Sequence, residues 1–231
     1  MISGVMGKRT IGSIGIMSGI PNTHTEFTLS LAQMLQYTHE YVCNVGEIVH
    51  LVRTDLSYHA AARNELVLQM LGDWLLMLDC DHAFAPDLLA RMVYTMNTYE
   101  LDALTAIYHS RLPPYRPVLY HWNKEDSGCI QVLDWDKKAK IFQVDSCGGG
   151  CLLVKRQVFE RIYTELKEEP FAIIPPFSED HSFFRRLKKL GIKSYCAPAI
   201  QSAHLATRPI TSDQYVDRAE PLGSPIVVDG R

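Results

Sequence analysis

The most informative part of the sequence is residues 74–86, which read WLLMLDCDHAFAP. Five apolar residues run directly into two carboxylates at alternate positions, Asp79 and Asp81. A buried strand cannot continue through charged groups, so the two acids should emerge where the strand ends. Alternation points both carboxylates to the same side if the chain stays extended. The stretch therefore predicts a central parallel strand, covered on both faces, with an acidic site at its carboxyl end.

The sequence around this strand alternates strand and helix patterns. Apolar strands are predicted at 11–17, 47–52 and 103–108, and segments with helical periodicity separate them. This order predicts an α/β fold with a mostly parallel sheet and helices on both faces. Right-handed crossovers bring the carboxyl ends of the parallel strands to one edge, where ligands bind in such sheets.

The second half of the chain has a different pattern. Residues 118–122, 129–135 and 140–144 are predicted to form short antiparallel strands joined by polar turns, and 151–154 and 192–196 are later apolar strands. We expect a single domain over residues 1–207. The tail, 208–231, has several Pro, Gly and Asp residues and little periodicity, and we expect it to be mobile.

Composition and charge exclude several classes of protein. The 231 residues are 47% apolar and 21% charged, which is typical of a globular domain. With 23 basic and 26 acidic residues the net charge is -3, whereas a dedicated nucleic-acid binder is usually basic. The six cysteines lack zinc-site spacing, which favours free thiols. We see no secretory signal and no apolar run long enough to span a bilayer, and therefore expect a cytoplasmic protein.

The acidic triplet 79–81 is typical of a metal site. Two neighbouring carboxylates repel each other unless a cation lies between them. Oxygen ligands of this kind suit Mg²⁺ or Mn²⁺, and such an ion can also bridge a diphosphate. A solvated loop or a helix N-terminus, with Asp81 or Asp87 near the helix dipole, is the structural alternative.

Further candidate residues lie downstream. Glu179 and Asp180 follow Ser178 at the start of a predicted helix, where acids are also favoured by the dipole alone. His204 follows the last apolar strand, and a lone histidine is often structural. Residues 147–151 read CGGGC, and these glycines would allow close backbone approach or positive φ angles. The basic run 185–189 is interpreted as a solvated helix face.

Three short motifs occur in a characteristic order: Ala62-Arg63-Asn64, Asp79-Cys80-Asp81 and Ser178-Glu179-Asp180. Together with the glycine-rich segment and the late histidine, they resemble the family-2-like glycosyltransferases of GT-A fold over residues 10–205. The resemblance implies a Rossmann-like sheet with a small antiparallel subregion on the acceptor side. Residues 10–110 would be the nucleotide-sugar-binding half, and 111–207 the acceptor half.

The resemblance also implies roles for individual residues. Residues 79–81 would be the DxD motif of a metal-dependent hexosyltransferase that uses a UDP- or GDP-linked donor and inverts the anomeric centre. Asp180 would be the general base, and Glu179 would help to hold the acceptor. Mn²⁺ or Mg²⁺ would be held by Asp81, Asp79 and His204. The implied donor-binding residues are Ser18, Gly19, Arg63, Asp79, Asp81 and Gly149.

Several alternatives stay open from the sequence. Many relatives hold the nucleotide base with an acid at the end of the second strand, where this chain offers only the late candidate Asp55, so the nucleotide is not fixed. Arg63 would either meet the donor diphosphate or pair with a carboxylate on its own helix. A nucleotidyltransferase and a non-catalytic nucleotide- or sugar-binding module are the rival functions. The acceptor is unknown, and the net charge disfavours a nucleic acid.

Overall fold

The computed structural model describes residues 8–19, 23–125, 127–206 and 209–212. Within these ranges a nine-stranded sheet runs in the order β12-β11-β5-β10-β3-β1-β2, with β4 and β8 also paired to β11. The strands are β1 Arg9–Met17, β2 Glu47–Thr54, β3 Trp74–Asp79, β4 His82–Phe84, β5 Ala103–Ile107, β6 Leu119–Trp122, β7 Cys129–Gln131, β8 Phe142–Val144, β9 Ser146–Cys147, β10 Cys151–Lys155, β11 Ser194–Leu205 and β12 Pro209–Ile210. The helices are α1 Thr25–Tyr41, α2 His59–Gln69, α3 Leu88–Thr98, α4 Arg156–Arg161, which continues as a π-helical turn Ile162–Leu166, and α5 Glu179–Lys189.

The predicted strand at the acidic triplet is confirmed, and it is buried on both faces. Leu75 and Met77 belong to one core cluster, together with side chains of α2 and α5. Leu76 and Leu78 belong to the other, together with side chains of α1 and α3. This alternation follows from the two-residue period of a strand and explains why the run is apolar without interruption. The mostly parallel sheet flanked by helices is likewise confirmed.

The structure shows a strand order and strand directions in the second half that the prediction did not include. β10 runs antiparallel between β3 and β5, so the two parallel parts of the sheet are separated by an inverted strand. The segment predicted at 140–144 does not join the small antiparallel sheet. It forms β8, which pairs with β11, whereas the small sheet has the order β7-β6-β9. An apolar run indicates that a strand is buried, but not which strands it pairs with or in which direction it runs. The pairings of β10 and β8 could therefore not be predicted from the sequence.

The last long strand extends well beyond the predicted range 192–196. β11 follows β5 in parallel from Ser194 to Ala197 and then shifts register before it resumes at Gln201. Its final residues pair with β4, with Ser202 opposite Phe84 and His204 opposite His82. His204 therefore lies inside a strand and not after one, which corrects the prediction. The strand passes directly beside the acidic triplet, because the Leu205 amide donates to the Asp81 carbonyl at 2.6 Å.

The predicted tail begins inside the described structure. Pro209 and Ile210 form β12, which pairs with the end of β11, so this part of the tail is tied to the sheet. Residues 207, 208 and 213–231 lie outside the described residues, and the expected mobility of the tail falls mostly on them. None of the helices in the described ranges has the length and apolar character needed to cross a membrane. All six cysteines are free thiols, as expected.

Candidate active site

The acidic triplet lies at the carboxyl edge of the parallel strands. Asp79 is the last residue of β3 and pairs in register with Met17, the last residue of β1. The chain then turns at Cys80 and Asp81 and enters β4. Both carboxylates are partly exposed at this edge, with 32% and 20% of their side chains accessible. The predicted position of the acids is therefore confirmed, and they open toward a cleft.

Strand pairing assembles a group of possible metal ligands around Asp81. His82 and His204 are cross-strand partners, and their rings lie 4.8 Å apart between centroids. His204 Nε2 lies 3.3 Å from Asp81 Oδ2, and His82 Nε2 lies 4.0 Å from Asp81 Oδ1. One ligand atom from each of Asp81, His82 and His204 falls within 4.8 Å of the others. Asp79 lies outside this group.

The chemistry of this group fits a divalent ion. His82 is fully buried, its Nδ1 is 2.8 Å from Ser202 Oγ, and its Nε2 has no hydrogen-bond partner among the described residues. Burial lowers the pKa of His82 to about 4, so its ring is a neutral ligand at neutral pH. Burial alone would raise the pKa of Asp81, but the hydrogen bond with His204 and the nearby positive groups lower it to about 2. One carboxylate and two imidazoles suit Mn²⁺ better than Mg²⁺.

Arg63 links the two acidic motifs of the site. Its guanidinium is 3% exposed, and Nη2 lies 3.3 Å from Asp79 Oδ1. On its other side Nε lies 3.2 Å from Asp180 Oδ1 and 3.6 Å from Glu179 Oε1. These carboxylates come from β3 and α5, so the alternative of a partner on the helix that carries Arg63, α2, is wrong. The arginine is buried beneath the carboxylates, which keep it charged.

Asp180 has the properties of a base that works near neutral pH. It lies in the first turn of α5 and directs a carboxylate into the cleft. Burial raises the pKa of Asp180 to about 6, although the attraction of Arg63 acts in the opposite direction. The neighbouring charges of Glu179 and Asp79 also contribute to this raised pKa. A carboxylate with such a pKa can accept a proton and still be ionised at pH 7.

The glycine-rich segment is required by close packing and not by backbone conformation. None of Gly148, Gly149 and Gly150 has a positive φ angle, so that part of the prediction is wrong. A Cβ at Gly148 would overlap the Tyr108 hydroxyl, and one at Gly149 would overlap the Arg63 guanidinium. A Cβ at Gly150 would lie 2.7 Å from His82 Nε2. The segment therefore lets the side chains of Tyr108, Arg63 and His82 pack against bare backbone.

Two adjoining cavities meet at the acidic triplet. The larger has a volume of about 680 Å³, and Asp180 shares its wall with Gly149, Tyr108 and Tyr120. The smaller, of about 390 Å³, is lined by Met17, Gly19, Leu56, Ser57 and His59. Asp79, Arg111 and His204 line both cavities. Both volumes lie within the range of small-molecule sites, and Asp79 lies at the boundary between the two cavities.

The predicted nucleotide-side residues have different positions relative to the smaller cavity. Gly19 lines it, and the Ser18 hydroxyl donates to the Thr54 carbonyl at 2.8 Å. The next residue, Ile20, lies outside the described residues. Asp55 is not among the lining residues of the cavity; its carboxylate is 71% exposed and pairs with Arg53. The carboxylate of Asp55 therefore faces solvent and Arg53, not the smaller cavity.

Two residues of the site were missed or undervalued in the sequence. Arg111 was not considered, although it lies four residues beyond the end of β5, at the same edge as the acidic triplet. His82 directly follows the acidic triplet in sequence, and strand pairing places it beside His204. The basic run 185–189 was interpreted as a solvated face, and this is wrong for Arg186. Its guanidinium is buried and binds Glu168 at 2.8 Å.

Comparisons with known proteins agree with this fold. The crystal structure of A197 from STIV is similar at 18% identity over 86% of each chain, with a TM-score of 0.52. The crystal structure of GalNAc-T7 with UDP, GalNAc and Mn²⁺ is similar at 12% identity and a TM-score of 0.56, over 96% of this chain but 46% of that one. Both likenesses support the GT-A fold. No curated protein gives a significant match.

A family model covers more than half of the chain. The match spans residues 30–163, which include the Arg63 motif, the acidic triplet and the glycine-rich segment. Glu179, Asp180 and His204 lie beyond the matched range, and the structure brings them to the same cleft. The chain belongs to glycosyl transferase family 2.

Proposed function

We propose that this chain is a metal-dependent glycosyltransferase that moves a hexosyl group from a UDP- or GDP-linked donor to an acceptor hydroxyl with inversion. One observation carries the proposal: Asp180 shares a cavity of about 680 Å³ with Asp79 and His204. A base and a metal-binding group therefore face the same space, as a displacement at an anomeric carbon requires. The similarity to GalNAc-T7, whose crystal structure contains UDP, GalNAc and Mn²⁺, further supports a UDP-linked donor.

The donor would bind across the acidic triplet. Asp81 and His204 would hold the divalent ion, with His82 as an inner ligand behind them. When bound, the ion neutralises the charge that develops on the leaving nucleoside diphosphate. Asp79 is fixed by Arg63 and presents its other oxygen to hydroxyl groups of the donor. Gly19 and the residues around it would form the nucleotide side.

The acceptor would enter from the Asp180 side of the larger cavity. The Asp180 carboxylate takes the proton of the acceptor hydroxyl while the oxygen of that hydroxyl bonds to the anomeric carbon. The bond between that carbon and the diphosphate oxygen breaks at the same time, so the configuration is inverted. Glu179 lies 3.8 Å from His59 and 3.6 Å from Arg63, which holds it where it can orient the acceptor. Arg63 positions the base and the donor-binding acid together.

Substitution of the two central acids tests this function. In a panel of UDP- and GDP-sugars with Mn²⁺, we expect the wild type to release nucleoside diphosphate. Asp180→Asn and Asp81→Asn should each lower that rate by about 10²-fold or more, because each removes a charge but little volume. Asp134→Asn, at a side chain that is 88% exposed, serves as the control and should keep full activity.

Other outcomes would replace the proposal. Release of pyrophosphate from a nucleoside triphosphate would identify a nucleotidyltransferase. Tight nucleotide-sugar binding without turnover would identify a binding module. Full activity in either acid variant, with the fold intact by circular dichroism, would remove that residue from the mechanism.

A further inference from the structure

Arg111 lies at the junction of the two cavities and forms an ion pair with Asp81. Its Nη1 is 3.0 Å from Asp81 Oδ2, and 51% of its side chain is exposed. The loop that carries it is held at its base, because the Ser110 amide donates to the Arg116 carbonyl at 2.9 Å. The Leu112 amide also donates to the Ser110 hydroxyl. The backbone is therefore anchored while the guanidinium stays at the surface of the cleft.

The departing nucleoside diphosphate needs a further cation at this place. The diphosphate of a nucleotide-sugar carries two negative charges and gains a third as the sugar leaves, so one divalent ion leaves part of that charge uncompensated. Among the described residues, Arg111 is the only arginine or lysine that lines either cavity. Arg63 is buried and already engaged by three carboxylates. The guanidinium of Arg111 is therefore the available donor for the diphosphate, and its planar fork matches phosphate oxygens.

The same guanidinium competes with a metal ion for Asp81. The oxygen that it contacts, Oδ2, is also the one 3.3 Å from His204 Nε2. An ion held by Asp81 and His204 would lie within a few ångströms of the guanidinium. Two cations at that spacing repel strongly, since the cleft screens them less than bulk water. The arginine and the ion would therefore compete for this oxygen.

We propose that Arg111 exchanges partners during the reaction cycle: it pairs with Asp81 in the free enzyme and turns to the donor diphosphate once a divalent ion is bound. The inference rests on the proposed function and deepens it. The side chain of Arg111 needs only to rotate at the junction of the two cavities, because Arg111 lines both of them. Metal binding and donor binding are thereby linked, since the ion releases the residue that the diphosphate needs.

Binding measurements on Arg111→Gln test the exchange without any transfer reaction. Titration of Mn²⁺ alone, followed by electron paramagnetic resonance, should show binding about two- to fivefold tighter than in wild type, because a half-exposed ion pair with Asp81 is lost. Calorimetric titration of UDP or GDP at saturating Mn²⁺ should show binding about tenfold weaker, because a charged contact to the diphosphate is lost. The two effects have opposite signs, which a merely structural role would not produce.

Arg116→Gln is the matched control, since it removes the same charge from the same loop. Arg116 is partly exposed and makes no ion pair within the described structure, so both affinities should stay within twofold of wild type. For Arg111→Lys, the Mn²⁺ affinity and the nucleoside diphosphate affinity should each lie between the values of wild type and Arg111→Gln.

The outcomes separate this inference from the proposed function. If wild type binds neither Mn²⁺ nor a nucleoside diphosphate, both are wrong. If wild type binds both and Arg111→Gln leaves the Mn²⁺ affinity unchanged, the ion and Arg111 do not compete, and the exchange is wrong while the function stands. Weaker Mn²⁺ binding in that variant, with an unchanged circular dichroism spectrum, would also overturn it.

Discussion

Asp180 and Arg63 show how single side chains set the chemistry of this site. Asp180 is surrounded by protein and by the charges of Glu179 and Asp79, which together raise its pKa. Arg63 works against them with a positive charge 3.2 Å away. The carboxylate therefore titrates close to the pH at which it would act, and Arg63 controls where that titration falls.

The pH dependence of transfer should report this balance. A base is active when deprotonated, so we expect kcat/KM at saturating Mn²⁺ to rise with pH, pass an inflection near the Asp180 pKa of about 6, and then level off. In Arg63→Gln the attraction that lowers this pKa is lost, so the inflection should move to higher pH and activity at pH 7 should fall. Rate profiles between pH 5 and 8 measure both effects.

An exposed arginine provides the control for this experiment. Arg161 pairs with Glu165 on one helix and is 42% exposed, so Arg161→Gln should leave the profile unchanged. An inflection that stays at the same pH in Arg63→Gln would mean that Asp180 is not the titrating group. The loss of a buried charge destabilises the fold by about 3–5 kcal/mol, so the variant's circular dichroism must be checked first.

Prediction from sequence was strongest for residues with local patterns. Asp79 and Asp81 could be placed because a buried strand cannot pass through charges. His82 and Arg111 could not be weighed correctly, because their importance comes from partners 122 and 30 residues away in sequence, His204 and Asp81. No periodicity encodes such pairings.

At the scale of elements, the segment between β9 and β10 determines whether the site can assemble. Its glycines lie where Tyr108, Arg63 and His82 approach the backbone. The Gly149 carbonyl also accepts a hydrogen bond from Arg63 Nη1 at 3.0 Å. Any side chain at this position must displace a guanidinium that three carboxylates hold in place.

Gly149→Ala should therefore damage both stability and activity. The added methyl would force Arg63 away from Asp79 and Asp180, so we expect a loss of about 1–3 kcal/mol in the free energy of unfolding. Transfer should fall by about tenfold or more, because the base and the donor-binding acid lose their common support. Urea unfolding and initial rates measure the two losses.

Gly128→Ala tests whether the effect belongs to this segment. Among the described residues, a Cβ at Gly128 would meet only Asn123 Nδ2, at 3.5 Å, which is an ordinary contact. We expect this variant to match wild type in stability and rate. Equal tolerance at Gly149 would show that Arg63 can move without consequence and would remove its positioning role.

The sequence predicted that the strands β3 and β10 exist, but it did not predict which strands pair with each other. The strands at β3 and β10 are both visible as apolar runs, but only the structure shows that they lie side by side and antiparallel. β11 was cut short in the prediction because Pro198 and the register shift beyond Ala197 interrupt its pattern. His204 lies in the part that was missed.

At the scale of the molecule, the site joins parts of the chain that are distant in sequence. Arg63 on α2, the triplet after β3, Asp180 on α5 and His204 on β11 belong to four separate elements. The sheet order brings the triplet and β11 to one edge, and the ion pairs of Arg63 attach α5 to it. A ligand in this cleft would contact only the folded chain, since the unfolded chain cannot hold these elements together.

Ligand binding should consequently raise the thermal stability of the whole chain. At a concentration of about 100 times Kd, a ligand that binds only the folded state adds roughly 2.7 kcal/mol. For a chain of this size that corresponds to a rise in Tm of roughly 5–10 °C. We expect this rise with Mn²⁺ and UDP or GDP together, and a much smaller one with either the ion or the nucleotide alone, because the diphosphate and the ion complete each other's site.

Asp81→Asn decides whether the rise comes from the acidic triplet. This variant should lose most of the combined effect, because the ion no longer has its carboxylate, while Asp134→Asn should retain it. A full rise in Asp81→Asn would place the nucleotide elsewhere in the molecule. A rise with nucleotide that is the same with and without Mn²⁺ would show that the ion is not part of the donor site, and the mechanism would then depend on the cationic side chain of Arg111 instead.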